Sequence, residues 1–257
     1  GANATTTTFA QIAIGVGANA GPQNYGIAIG GGATVTANSG VAVGGVAMGR
    51  NTQAGSFAVG IGPGAQATGS NSTALGNGAT ANNTGSVALG NTANALGGNS
   101  IALGNAAQAA MLSSIAIGNA TQATAINSLA IGGLTANTAI RDGVTGAYAT
   151  IAGGQSSIVF GLGSEAKNTL GLVLGSLSVS EGNAATVLGS SSVANGVSAV
   201  VVGPANKVVG DYSTSVGTNA NITGTSSIAI GTVSTVFGDN SLALGNRAKV
   251  GAVGAPI

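Results

Sequence analysis

Apolar and polar residues alternate along this chain in short bursts, and the bursts recur. Between residues 99 and 133 one phrase appears three times, as Ser100-Ile101-Ala102-Leu103-Gly104, Ser114-Ile115-Ala116-Ile117-Gly118 and Ser128-Leu129-Ala130-Ile131-Gly132. The closing glycine, taken as position zero, falls at Gly15, Gly30, Gly44, Gly60, Gly76, Gly90, Gly104, Gly118 and Gly132. It resumes at Gly161, Gly175, Gly189, Gly203, Gly217, Gly231 and Gly245. The step is 14 residues almost throughout. Longer steps near the start read as small loop insertions at Gly45–Arg50 and Ile61–Gly64. The 29 residues from Gly132 to Gly161 read as two repeats plus one, with Gly146 closing a degenerate repeat. Repeats of this kind are the signature of a stacked architecture in which each unit buries its neighbour.

Within a repeat the period is two. Positions −3 and −1 are large and apolar, as in Val87/Leu89 and Leu242/Leu244, while +3 and +5 are small or apolar, as in Ala107/Ala109 and Ala248/Val250. Alternation at that period marks β-strands with one face in a core. Each coil therefore carries two short strands joined by Gly/Asn/Ser turns, a parallel β-roll or β-solenoid. A helix is a poor competitor, because glycine costs about 1 kcal/mol in a helix interior and one stands at every strand end. The large −3 and −1 residues are expected to fill the roll. Position −2 is then expected to point outward, and it is apolar too: Ala74, Ala88, Ala102, Ala116, Ala130, Val173, Val187, Val201, Ala229 and Ala243. Strands apolar on both faces are normally covered on both. With no helical segment available, other copies of the chain are the expected cover, with these ten residues packing a shared axis.

Composition narrows the function classes. The 257 residues include 47 glycines, six Lys/Arg, five Asp/Glu and neither His nor Cys. No cysteine means no disulfide, thiolate site or cysteine nucleophile. Without His or Cys a transition-metal site would need carboxylates alone, and the five carboxylates are scattered. Serine without a base makes no triad. Glycine-rich stretches at 60–64 and 97–100 lack the Gly-Lys-Ser/Thr context of a phosphate loop and read as turns. An enzyme is therefore not expected, and neither is a cofactor. A net charge of +1 without basic clusters offers nothing to nucleic acid. No apolar run approaches the roughly 18 residues of a membrane span, so direct insertion by this segment is not expected either. Nine of the eleven charges fall at even positions after the glycine, where side chains should face away from the core or lie in a turn. Arg141 and Asp142 are the exceptions.

The phrase Asn-Ser-x-Ala-Leu/Ile-Gly, at 71–76, 99–104, 127–132 and 240–245, resembles the head repeat of YadA-like trimeric autotransporter adhesins. The resemblance covers about residues 9–250, with an irregular insertion at 133–157. It implies a left-handed parallel β-roll of ~14-residue coils, a homotrimer, and a place on the surface of a Gram-negative bacterium. It also implies attachment to host matrix such as collagen, to other cells or to abiotic surfaces. The whole of 1–257 reads as one head domain, and the stalk and membrane anchor of such proteins lie outside this sequence. From Gly161 to Gly203 the −2 alanine gives way to valine and the preceding serine to Gly171, Ala185 or Ala199, so packing there should differ.

A ligand surface is expected at Arg141, Asp142 and Tyr148 in the insertion, or where outer positions turn apolar at Leu177, Val179, Val193 and Val233. The alternatives are a solvated bulge and a register change that buries the apolar stripe. Two other functions stay open: a structural spacer or fibre segment displaying other domains, and an ice-binding solenoid. The irregular +2 and +4 positions argue against the latter.

Overall fold

A computed structural model describes residues 1–22, 24–36, 44–135, 139–141 and 144–251, with the backbone alone at 139–141 and 144–146. It contains strands and turns and, among the described residues, no helix. The chain divides into two compact units, residues 1–123 and 124–257. Each is a parallel β-solenoid of coils about 14 residues long, and about sixteen turns are present in all.

Every regular coil contributes one three-residue strand to a first sheet and one two-residue strand to a second. In the first unit Val87–Leu89, Ile101–Leu103 and Ile115–Ile117 lie side by side in the first sheet, while Asn94–Ala95, Gln108–Ala109 and Gln122–Ala123 line up in the second. In the second unit Leu172–Leu174, Thr186–Leu188 and Val200–Val202 do the same beside Glu165–Ala166, Val179–Ser180 and Val193–Ala194. Register is strict, each residue opposite the one a coil away. Ile101 N–H donates to Ser114 O at 2.9 Å, and Gly104 N–H to Leu89 O at 2.8 Å. Hydrogen bonds between coils thus satisfy the backbone groups that a thin structure could not otherwise bury.

The recurring glycine closes the first strand with a positive φ, 136° at Gly104. A Cβ there would stand 2.6 Å from the Gly118 carbonyl oxygen, so any side chain would collide with the next coil.

Side-chain direction is the reverse of that expected from hydrophobicity. The −2 residues Ala74, Ala88, Ala102, Ala116, Ala130, Val173, Val187, Val201, Ala229 and Ala243 point into the roll, all between 0% and 1% exposed. They face the +3 and +5 residues, and the serine at −4 completes the interior: Ser100, Ala102, Ala107 and Ala109 are each 0% exposed. These ten positions therefore cannot pack an axis between copies. The large −3 and −1 residues do not fill the roll either, because they stand outside it. Size is the physical reason. The interior is tight: a Cβ added at inward-facing Gly60 would lie 2.7 Å from the Gln53 carbonyl oxygen, and one at Gly171 would lie 3.1 Å from both Ala166 Cβ and Ser180 Oγ.

Two stretches depart from the expected register. Ala47 pairs with Ala28, and Gly60 with Ala47, so Gly49 and Gly62 close the coils in place of Gly44 and Gly60. Val46–Met48, expected within a loop insertion, is a strand, and Ile61, expected to open another insertion, ends the strand Val59–Ile61. Val41–Val43, expected as the strand ahead of Gly44, lies outside the described residues. Between Gly132 and Gly161 there is one coil carrying an excursion, not two repeats. Leu129 pairs with Ile158, and Ile151 with Glu165. Gly146, expected to close a repeat, belongs to an antiparallel hairpin, Ala139–Arg141 with Val144–Gly146.

Candidate functional site

Inverting the side chains creates a surface. The outward positions of the first sheet are the −3 and −1 residues, and each is Ile, Leu, Val, Met or Phe except Thr73, Thr186 and Thr214. Many are substantially open, from 40% at Ile230 to 58% at Leu242 and 68% at Leu244. In each unit eight such pairs are stacked at about 4.8 Å. Monomeric proteins rarely expose a contiguous apolar patch beyond a few hundred Å². Pairs of apolar side chains in register along a flat sheet make a face that water wets poorly and another apolar surface can cover.

The second sheet is its opposite. Its outward rank in the first unit runs Thr34, Gln53, Gln66, Thr80, Asn94, Gln108 and Gln122, all neutral amides or hydroxyls. No Asp, Glu, Lys or Arg occurs from residue 51 to 140. In the second unit the same rank includes Glu165, Lys207 and Lys249, and the adjoining corner holds the Lys167–Glu181 ion pair, which bridges two coils. Two aspartates cap backbone groups in the preceding coil. Asp211 Oδ1 accepts the Val197 N–H at 2.8 Å, and Asp239 Oδ1 accepts the Thr225 N–H at 2.7 Å. The Thr225 backbone N–H, helped by the Thr225 side chain, holds the Asp239 carboxyl below the usual aspartate range. Among the described residues no three His, Cys, Asp or Glu gather as metal ligands would.

The residues expected to form a ligand surface separate. The Arg141 side chain and the whole of Asp142 lie outside what the structure describes. Tyr148 is half-buried at the root of the excursion, where Thr135 N–H donates to Tyr148 O at 3.0 Å and Tyr148 N–H to Thr135 Oγ1 at 2.8 Å. Thr150 anchors this root. Its hydroxyl accepts the N–H groups of Gly133 and Gly163 at 3.0 and 3.2 Å and donates to Gly161 O at 2.7 Å. Tyr148 and Leu177 converge over Gly163: a Cβ built there would lie 3.0 Å from Tyr148 Cβ and 3.2 Å from Leu177 Cδ2. Val179 and Val193 are each only 4% exposed, which removes Val179 from any ligand surface. No register change buries them, since Glu165, Val179, Val193 and Lys207 pair in sequence. Val233 remains open at 41%.

The outward Ile/Leu/Val ranks were missed as a surface because hydrophobicity alone sends large residues inward. A signal was present. The serine at −4 shares a face with the −2 alanine, and small residues at +3 and +5 match them in size.

A thin two-sheet solenoid with one apolar and one polar outer face, repeating every 14 residues, is a head of the trimeric autotransporter adhesin type. The chain belongs to the YadA head domain repeat family, which matches residues 54–79, 81–107, 109–135, 194–220 and 223–248, more than half of its length. Each match spans nearly two coils. No curated protein matches the chain. The family is one of surface-exposed autotransporter adhesins of Gram-negative bacteria whose members form trimers.

Proposed function

We propose that this chain is a non-enzymatic adhesin head that works as a homotrimer on the bacterial surface, its first-sheet apolar faces turned toward one another around a common axis. The observation that carries this reading is the apolar character of the outward −3 and −1 positions, interrupted among the described residues only by Thr73, Thr186 and Thr214, with residues as open as Leu242 and Leu244. Covering them removes apolar area from water at about 25 cal/mol per Å². The second sheet and the turns then remain outside and meet the ligand. Matrix proteins such as collagen, other cells and abiotic surfaces are the ligand classes that fit a broad, neutral contact face. Such contact has little ionic character over the first unit, where Arg50 is the one charged residue.

Light scattering over a dilution series tests the assembly, and a mass of three chains independent of concentration is the expected result. A stable mass of one chain would overturn it. Adhesion to immobilised collagen is expected to persist as salt rises from low to physiological strength, because screening acts on exposed charges.

A further inference from the structure

We propose that Thr186 and Thr214 are register marks, polar side chains that decide which coil of one copy faces which coil of its partners. The inference rests on the homotrimer reading. On the second unit's apolar face the outward residues are Ile, Leu, Val or Phe at every position but these two. Successive coils are so alike that sliding one copy by a coil, about 4.8 Å, exchanges one apolar contact for another and loses only an end pair. Apolar packing therefore discriminates weakly among registers.

The threonines break that degeneracy. Both are half-buried on the face, and among the described residues neither hydroxyl has a hydrogen-bond partner within the chain. Water serves them while the face is open. Once it is covered, each needs a partner, and an unpaired buried hydroxyl is costly. In register, threonine meets threonine from the other copies, each hydroxyl able both to donate and to accept. Thr186 and Thr214 stand two coils apart, with Val200 between them. A slip of one coil sets every one of these hydroxyls against aliphatic side chains. A slip of two coils pairs Thr186 with Thr214 and strands the rest. Only the unslipped arrangement satisfies all of them. A lone polar residue in an apolar seam specifies alignment in coiled coils by the same logic. Thr73 holds the equivalent place on the first unit's face.

The chain lacks cysteine, so chains carrying a nitroxide through Glu165→Cys can be refolded together with chains carrying a gadolinium label through Lys249→Cys, six coils farther along the second sheet. Pulsed electron paramagnetic resonance between unlike labels then reads the distances between copies, and the offset of about 29 Å along the stack makes a slip of one coil change them by about 3 Å. The parent is expected to give one fixed, narrow pattern of distances. In Thr186→Val/Thr214→Val the slipped share, seen as additional shorter and longer distances, is expected to rise several-fold. Adding Val200→Thr to that variant supplies a new mark and is expected to restore a single register. A double variant that keeps the parent's pattern would overturn the register role. Light scattering on the same samples separates the two ideas: a mass of one chain, with no distance between copies, means that the trimer reading has failed and the register role with it.

Discussion

The two units solve one packing problem with different side chains. In the first, Val35 apart, both sheets face inward with small residues, Ala95 with Ala102 in one coil and Ala109 with Ala116 in the next. In the second, each coil from Val159 onward carries one larger residue, and its place moves. Val173, Val187 and Val201 project from the first sheet opposite Ala166, Ser180 and Ala194. Farther on, Ile222 and Val236 project from the second sheet opposite Ala229 and Ala243. The serines follow the bulk. In the first unit they sit at −4 and bond within their own coil, Ser100 Oγ donating to Gly97 O at 2.7 Å. In the valine coils they move to +3 and bond between coils: Ser178 Oγ donates to Gly189 O at 2.6 Å and accepts the Ser192 N–H at 3.2 Å. Pattern alone thus specifies a coil, while side-chain volume and the hydroxyls are free to be redistributed, provided each cross-section is filled and each buried polar group is paired.

Exchanging the large and small partners should cost the most stability. Ile222→Ala empties the site of a fully buried side chain and is expected to cost about 3 kcal/mol. Ala109→Ile, at the matching place in the first unit, forces a larger side chain into a section built of alanine and is expected to cost about 2 kcal/mol. Denaturant unfolding followed by hydrogen exchange would assign each loss to its coil, and an Ala109→Ile variant as stable as the parent would refute the size argument.

The serines separate the two units on a smaller scale. Ser178→Ala strips a partner from the Ser192 N–H and the Gly189 carbonyl together, an expected loss of about 2 kcal/mol. Ser100→Ala removes a bond to a carbonyl that the Ser100 N–H also approaches, at 3.4 Å, so about 1 kcal/mol is expected. Exchange protection at Ser192 and Ser100 measures the contrast, and equal losses would erase it.

Acid has the smallest expected effect and touches one unit only. The Asp239 carboxylate is held below its usual range, so its contribution is present above the ordinary aspartate value of about 4 and is lost as pH falls through the lowered one. The Thr225 amide proton should shift over that window in a nuclear magnetic resonance titration. Residues 1–123 contain no Asp or Glu, and their amides should stay still.

The coil length, the two strands per coil, the glycine corners, the interruption after Gly132 and the family are all legible in the residue pattern. These follow from periodicity and from backbone chemistry, which a linear pattern records directly. It also carried the evidence that one strand is apolar on both sides. Which side faces in depends on how the two sheets pack against each other. Both faces of that strand are apolar, and hydrophobicity alone would send the larger side chains inward; the choice falls instead to volume, which is a property of the facing sheet. Ala102 fits opposite Ala107 and Ala109, whereas Ile101 and Leu103 do not, and they are left outside. The same holds near the start, where Gly60 reads as a corner from its spacing yet lies inside the first sheet, held there by the contacts of Ala47 and Ala74 on either side.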